Sequence, residues 1–171
     1  MKTISFQNDI LPLKNILFRL ALRITQERTE AEDVVQETMM KVWKRREQWA
    51  EMESIEAFCL TVCRNLALDK TRRMERQLRT APPLIDPADQ SHASNPEQVA
   101  IEHDRLHLVR QLIAQLPEKQ RTCMQLRDVE GKSYRDIATI LDITEQQVKT
   151  NIFRARQTIR ERFLTLTNEK K

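Results

Sequence analysis

Apolar side chains recur every three or four residues along most of this chain, which is the spacing of amphipathic helices. In residues 9–26 this spacing places five apolar side chains on one face, namely Ile10, Leu13, Leu17, Leu20 and Ile24. We find no alternation of apolar and polar residues with the period of two that predicts a strand. The chain has one glycine, and four of its six prolines lie between positions 82 and 96. The pattern therefore predicts an all-α fold.

Two further helices are predicted in the first half of the chain. One begins at Thr29, where Thr29 and Glu32 have the spacing of a capping box, and buries Val34, Val35, Met39 and Val42. The other begins after Ser54, which we predict to be its N-cap, and residues 47–54 form a polar loop between the two helices. The apolar side of this third helix consists of Ile55, Phe58, Cys59, Val62, Leu66 and Leu68.

A joint is predicted at residues 80–96, which carry four prolines, two aspartates and no lysine or arginine. Such a composition cannot extend a helix and favours a flexible or extended tether. Asn95–Pro96 then has the pattern of a helix start. The chain has a formal charge of +4, and it is basic on both sides of the acidic joint. We therefore predict two small helical domains, 1–79 and 97–171, joined by a linker at 80–96.

The stretch from Ser133 to Arg162 predicts two helices joined by a tight turn. Ser133 caps the first helix, and Thr144 with Gln147 forms a capping box for the second. The inner face of the second helix carries Val148, Ile152, Ala155 and Ile159, and its outer face carries Lys149, Thr150, Asn151, Phe153, Arg154 and Arg156. Caps, turn and charge agree with a DNA-binding helix-turn-helix, which we favour over a helical hairpin with a solvated basic face.

Two other charged strips each allow two interpretations. Asp33, Gln36, Glu37 and Met40 line one side of the second helix, as a solvated face or as a docking strip, and the pattern alone favours a solvated face. The third helix ends in a basic run that contains Arg64, Asn65, Lys70, Arg72 and Arg73. Such a run suits a phosphate backbone, but cations at a helix C-terminus also stabilise the helix itself.

No catalytic, metal or cofactor site is predicted. The three cysteines are too sparse for a disulfide framework, and we interpret Cys59 and Cys63 as small core residues. His103 and His107 have the i, i+4 spacing of metal ligands, but without nearby partners we expect them to be exposed. The sequence shows neither a signal peptide nor a long apolar run, so we expect a soluble cytoplasmic protein.

Three segments together resemble one protein family. They are AEDVVQETMMKVW (31–43), FCLTVCRNLALDKTRR (58–73) and LPEKQRTCMQLRDVEGKSYRDIATILDITEQQVKTNIFRAR (116–156). In this order and spacing they resemble a bacterial extracytoplasmic-function (ECF, group 4) sigma factor of the sigma-70 family. Phe58, Cys63, Asp142 and Asn151 depart from residues common in that family, which leaves the promoter preference open.

The resemblance implies a role for each strip. Asp33, Gln36, Glu37 and Met40 would dock on the clamp helices of the RNA polymerase β′ subunit, which replaces the solvated interpretation. The −10 element would be recognised and melted by the helix that carries Arg64, Asn65, Lys70, Arg72 and Arg73. The −35 element would be contacted by Lys149, Thr150, Phe153, Arg154 and Arg156.

The resemblance also implies the partners. These are core RNA polymerase, through the β′ clamp helices and the β flap, promoter DNA, and an anti-sigma factor linked to a membrane. No cofactor and no stable homo-oligomer are expected, and the polymerase would supply the catalysis. Two rivals remain open: a dimeric helix-turn-helix regulator, and an interaction module whose basic faces are merely solvated. A phospho-receiver domain is disfavoured because residues 1–79 lack alternating strands and helices.

Overall fold

A computed structural model describes residues 3–80 and 98–169, and within these ranges all the regular elements are helical. Nearly all of the predicted tether, and the predicted helix start at Asn95–Pro96, lie outside the described residues. In the described ranges no helix is both long enough and apolar enough to cross a membrane. The prediction of an all-α fold is confirmed.

The first lobe consists of three mutually packed helices, α1 (Lys14–Thr25), α2 (Arg28–Lys44) and α3 (Ile55–Thr80). A π-helical turn (Phe6–Ile10) and a 3-10 turn (Leu11–Leu13), which contains Pro12 at its start, precede α1, so the predicted helix over 9–26 is α-helical only from Lys14. Ile10, Leu17, Leu20 and Ile24 of the predicted stripe are buried, and Leu13 is half-buried. Cys59 and Cys63 are buried core residues as predicted, and burial raises the pKa of each thiol to about 12.

The predicted cap of α2 at Thr29 is wrong, because the N-cap lies two positions earlier and the helix begins at Arg28. Glu27 is the N-cap, and its carboxylate accepts hydrogen bonds from the backbone N–H groups of Thr29 (3.1 Å) and Glu30 (2.7 Å). One carboxylate thus satisfies two free donors and adds a negative charge at the positive end of the helix dipole, which a threonine hydroxyl cannot do. The hydrogen bond from Glu30, followed by that from Thr29, lowers the pKa of Glu27.

The segment between α2 and α3 is more ordered than the predicted polar loop. Residues Arg46–Glu51 form a 3-10 segment, and Trp49 within it is buried. The indole N–H of Trp49 donates to the carbonyl of Val42 at 3.0 Å, which ties the segment to the end of α2. The predicted cap at Ser54 is confirmed, since its hydroxyl accepts from the N–H of Ala57 at 3.1 Å.

The second lobe contains α4 (Gln98–Ala114), α5 (Glu118–Met124), a π-helical turn (Gln125–Val129), α6 (Tyr134–Leu141) and α7 (Glu145–Asn168). Ser133 caps α6 by accepting from the N–H of Asp136, and Thr144 and Gln147 form the predicted reciprocal capping box. Gly131 and Asp142 have left-handed backbones, with φ of 68° and 55°. The predicted helix-turn-helix geometry of α6 and α7 is confirmed.

The two lobes pack against each other through one continuous apolar core, in which α3 contacts α6 and α1 contacts α5. Ion pairs surround this contact. Among the described residues four of them join the lobes, namely Arg19–Glu130, Arg64–Glu118, Glu56–Lys132 and Glu53–Arg135. We call this the closed arrangement. It bears directly on which of the predicted site residues face solvent.

Candidate nucleic-acid interface

The outer face of α7 presents an accessible strip. Val148, Ile152 and Ala155 are buried against the lobe, which turns Lys149, Phe153 and Arg154 toward solvent. Phe153 is 66% exposed, although a phenyl ring in water loses the free energy that burial would provide. An exposed ring between two cations suits a surface that contacts thymine methyl groups and phosphates. This is the arrangement expected of a recognition helix.

The other two residues predicted for the −35 element have partners within the protein. The Thr150 hydroxyl donates to the carbonyl of Gln146 at 3.0 Å. Nε and Nη2 of Arg156 donate hydrogen bonds to the two carboxylate oxygens of Asp128, and the Nε–Oδ2 distance is 3.0 Å. This hydrogen bonding raises the pKa of Arg156. Arg156 is therefore held toward the preceding π-helical turn, apart from the exposed strip.

The residues predicted for the −10 element are divided in the closed arrangement. Arg64 is only 8% exposed, and its Nε and Nη2 donate to Glu118 of the second lobe at 3.1 and 2.9 Å. Lys70 lies against α2, within 3.3 Å of Glu30 and 3.8 Å of Asp33. Asn65, Arg72 and Arg73 are exposed on α3. Three of these five side chains are thus exposed, although Arg72 pairs with Asp69 at 3.7 Å on the helix surface, and the other two are held in less exposed ion pairs.

The acidic strip on α2 remains open. Asp33, Gln36 and Glu37 are exposed, and Met40 at the end of the strip is 59% exposed. Trp43 lies one turn further along α2, is 47% exposed, and meets the ring of Phe6 edge-on at 5.4 Å. Exposed apolar side chains beside carboxylates are typical of a protein–protein contact surface. The prediction of the strip did not include Trp43. Its position beside the buried apolar face of α2 could have indicated that it borders the strip.

Sequence reasoning missed the second-lobe carboxylates that contact the first lobe. Glu118 binds Arg64, and Glu130 binds Arg19 through two bonds of 2.6 and 2.8 Å. The bond to Arg19 lowers the pKa of Glu130. Nothing in the local sequence signals these pairs, because their partners lie 54 and 111 positions away. Over the described ranges no group of histidines, cysteines and carboxylates could hold a metal ion.

Two family models match the chain in sequence order. The model described as Sigma-70 region 2 matches residues 10–77, and the model described as Sigma-70, region 4 matches residues 106–159. The first match spans α1 to α3, and the second spans most of α4 through to the middle of α7. The acidic strip therefore lies in the first matched region and the exposed strip of α7 in the second.

Curated relatives agree with these matches. The ECF RNA polymerase sigma factor SigL of Mycobacterium tuberculosis (strain H37Rv) is 34% identical over 146 residues, which cover 85% of this chain and 81% of that protein. The RNA polymerase sigma-H factor of Pseudomonas aeruginosa is 30% identical over 172 residues, which cover 94% of this chain and 88% of that protein.

Two solved structures share the fold. The sigma factor RpoE of Bartonella quintana, in complex with the anti-sigma factor NepR, superposes with a TM-score of 0.74 at 23% identity, over 94% of this chain and 96% of that chain. CnrH, in complex with the cytosolic domain of CnrY, superposes with a TM-score of 0.66 at 17% identity, over 97% and 89%. At these identities the likeness concerns the arrangement of helices.

Proposed function

We propose a division of function between the two lobes of this chain, which belongs to the extracytoplasmic-function group of the sigma-70 family. Members of this family are non-catalytic factors of promoter-directed transcription initiation. The first lobe docks on core RNA polymerase and engages the −10 element, and the second lobe recognises the −35 element. We assign region 2 to residues 1–79, the linker to 80–96 and region 4 to 97–171. The observation that carries this proposal is the solvent-facing strip of Lys149, Phe153 and Arg154 on a capped recognition helix.

Docking on the polymerase is assigned to the acidic strip. Asp33, Gln36, Glu37 and Met40 would contact the clamp helices of the β′ subunit, where carboxylates meet basic helices and the Met40 side chain becomes buried. Charge complementarity of this kind raises the association rate and fixes the orientation of the partners. Region 4 would contact the β flap in the same holoenzyme. The polymerase supplies all of the catalysis, so the factor needs no catalytic group or cofactor of its own.

Contacts with the −10 element are assigned to α3. Asn65, Arg72 and Arg73 are exposed and would approach the DNA first, whereas Arg64 and Lys70 would join them after exchanging their present carboxylate partners for DNA. At the −35 element Lys149, Phe153 and Arg154 would face bases or backbone, with Thr150 beside them and Arg156 nearest to phosphate. A bidentate contact between an arginine and a guanine discriminates between bases by about 1–3 kcal/mol.

The structural relatives suggest a regulator as well. Because RpoE and CnrH were each solved with a protein partner, we propose that an anti-sigma factor, linked to a membrane, binds this chain and blocks both lobes. Because the factor acts on promoter DNA together with RNA polymerase, we assign it to the bacterial cytoplasm. The rival of a dimeric helix-turn-helix regulator does not account for the match to region 2 over residues 10–77.

The test is run-off transcription with core polymerase and a library of genomic promoters. We expect transcripts that depend on this protein and share −35 and −10 elements. Replacing Asp33→Lys and Glu37→Lys should weaken core binding, whereas Glu47→Lys with Glu51→Lys makes the same change of charge outside the strip and should leave it intact. Arg154→Ala should reduce the preference for a matched over a scrambled −35 element, and Arg162→Ala, further along α7, should preserve it.

The outcomes separate the two functions. An unchanged affinity for core polymerase in the Asp33 and Glu37 variant would contradict the assignment of the acidic strip as the docking surface, but it would not contradict the function as a sigma factor. If no promoter gives transcripts while the protein alone binds a palindromic DNA site as a dimer, the chain acts as a helix-turn-helix regulator instead.

A further inference from the structure

Three arginines come together where the two lobes meet. The carbonyl of Ala114, at the end of α4, accepts hydrogen bonds from Nη1 of Arg121 at 2.9 Å and from Nε2 of Gln26 at 3.1 Å. Arg23 of α1 reaches the same junction from the first lobe, since its Nε donates to the side chain of Gln125 at 3.0 Å. Arg110 lies one turn before Ala114 on α4, and the charges of Arg110 and Arg121 both act on Arg23.

The cluster of Arg23, Arg110 and Arg121 carries three positive charges, and among the described residues the charge of Glu118 acts on Arg121 without forming an ion pair with it. Two carboxylates at the interface are already bound to other arginines, Glu130 to Arg19 and Glu118 to Arg64. Among the described residues, no carboxylate forms an ion pair with any of the three clustered arginines.

The innermost guanidinium is also short of hydrogen-bond partners. Arg121 is 8% exposed, and its Nε has no hydrogen-bond partner among the described residues. Arg23 is half-buried, and its Nε donates to the neutral amide oxygen of Gln125 at 3.0 Å. Burial lowers the pKa of Arg121 and of Arg23, and the charges of Arg121 and Arg110 lower that of Arg23 further.

Such an arrangement is costly for a folded protein without a ligand. A buried guanidinium whose donors are only partly satisfied recovers only part of the hydration that it loses, and repulsion between like charges adds to the loss. A bound anion would reverse both effects. The cluster can be reached, because Arg110 is exposed and Arg23 also lines an open groove of about 460 Å³ beside Val109 and Ile113.

We propose that Arg23, Arg110 and Arg121 form a binding site for the phosphate groups of a small multivalent anion, such as a pyrophosphate-bearing compound. Planar guanidinium groups bind phosphate oxygens through paired hydrogen bonds, and several phosphate oxygens can engage three such groups at once. Because Arg23 belongs to the first lobe and the other two arginines to the second, the bound anion bridges the lobes and stabilises the closed arrangement.

Inorganic pyrophosphate is the probe, titrated into the full chain by calorimetry and by ³¹P NMR while potassium chloride holds the ionic strength constant. We expect saturable binding of one pyrophosphate per chain. Arg110→Gln should weaken it at least tenfold, and its exposed position makes loss of the fold no explanation. Arg105→Gln removes an exposed arginine from another face of α4 and should change the affinity less than twofold.

Binding should also be visible at the buried end of the cluster, as a shift of the Arg121 Nε–H resonance in the ¹⁵N spectrum. No saturable binding by the wild-type chain, or equal affinity in Arg110→Gln, would overturn the proposal. A third arm distinguishes the source of the phosphate. If Arg110→Gln weakens binding of duplex DNA tenfold and pyrophosphate does not compete with that DNA, the cluster serves the DNA backbone, and the small-anion site is refuted.

Discussion

Replacing Glu118 by glutamine should release the closed arrangement while leaving each lobe folded. Arg64 is almost fully buried and donates two hydrogen bonds to the Glu118 carboxylate, at 3.1 and 2.9 Å. A hydrogen bond to a charged partner contributes about 1.5–3 kcal/mol, and glutamine keeps one neutral acceptor for Arg64. We therefore expect a loss of about 2 kcal/mol, which is about a thirtyfold fall in the ratio of closed to open molecules.

Electron–electron distances between two spin labels measure this ratio directly. Labels on Lys44→Cys and Arg162→Cys lie on exposed positions of the two lobes. The three native cysteines are buried, and burial raises the pKa of Cys59 and Cys63 to about 12 and of Cys123 to about 11, so their thiols should stay unlabelled. We expect one narrow distance in the wild-type chain and a second, longer population in Glu118→Gln.

Glu53→Gln is the matched control. Glu53 also pairs across the lobes, with Arg135, but both side chains are largely exposed, and exposed pairs contribute little. Its distance distribution should match that of the wild type. The reasoning would be refuted by an unchanged distribution in Glu118→Gln, or by equal broadening in both variants, which would make the net charge of the interface the cause and not the buried pair.

Three further predictions concern stability. Arg19 lowers the pKa of Glu130, so this ion pair stabilises the protein above the ordinary carboxyl pKa, and the stabilisation is lost as the pH falls through the lower pKa of the folded state. At pH values below about 4 the urea concentration at the midpoint of unfolding should therefore decrease, and it should decrease less in Glu130→Gln. Thr144→Ala removes a capping box and should cost about 1 kcal/mol in urea unfolding, whereas Thr144→Ser should cost far less. Gly131→Ala meets no atom within 4 Å but must adopt φ near 68°, so a loss of about 1 kcal/mol should appear in the same assay, and a neutral result would show that the turn relaxes.

Local physics explains which parts of the fold could be predicted. The caps at Ser133 and Thr144 each depend on residues within four positions, and both predictions are confirmed. The cap at Thr29 failed because the Glu27 carboxylate accepts from the N–H groups of Thr29 and Glu30, so the chain is already helical at Thr29. The choice between neighbouring caps depends on how the chain enters the helix, which spacing alone does not specify.

Contacts between the lobes were beyond sequence reasoning. Arg64 was predicted to face DNA from the basic end of α3, and the structure places it against a carboxylate that lies 54 residues further along the chain. The composition of α3 indicates an anionic partner correctly, but it does not distinguish a phosphate from Glu118. The residue assignments for the −10 and −35 elements and for the polymerase therefore stay predictions.

If RNA polymerase binds the acidic strip as proposed, that contact is by itself insufficient to open the closed arrangement. A ligand shifts an equilibrium only by the difference between its affinities for the two states. Asp33, Gln36 and Glu37 are already exposed in the closed arrangement, so contacts confined to them favour neither state. Opening must be driven by contacts with surfaces that closure covers, and these include Arg64 on α3, which is only 8% exposed. Under the proposed assignments, −10 DNA, or a polymerase surface beside it, would favour the open state. The acidic strip would then hold the factor in place while Arg64 exchanges Glu118 for that partner.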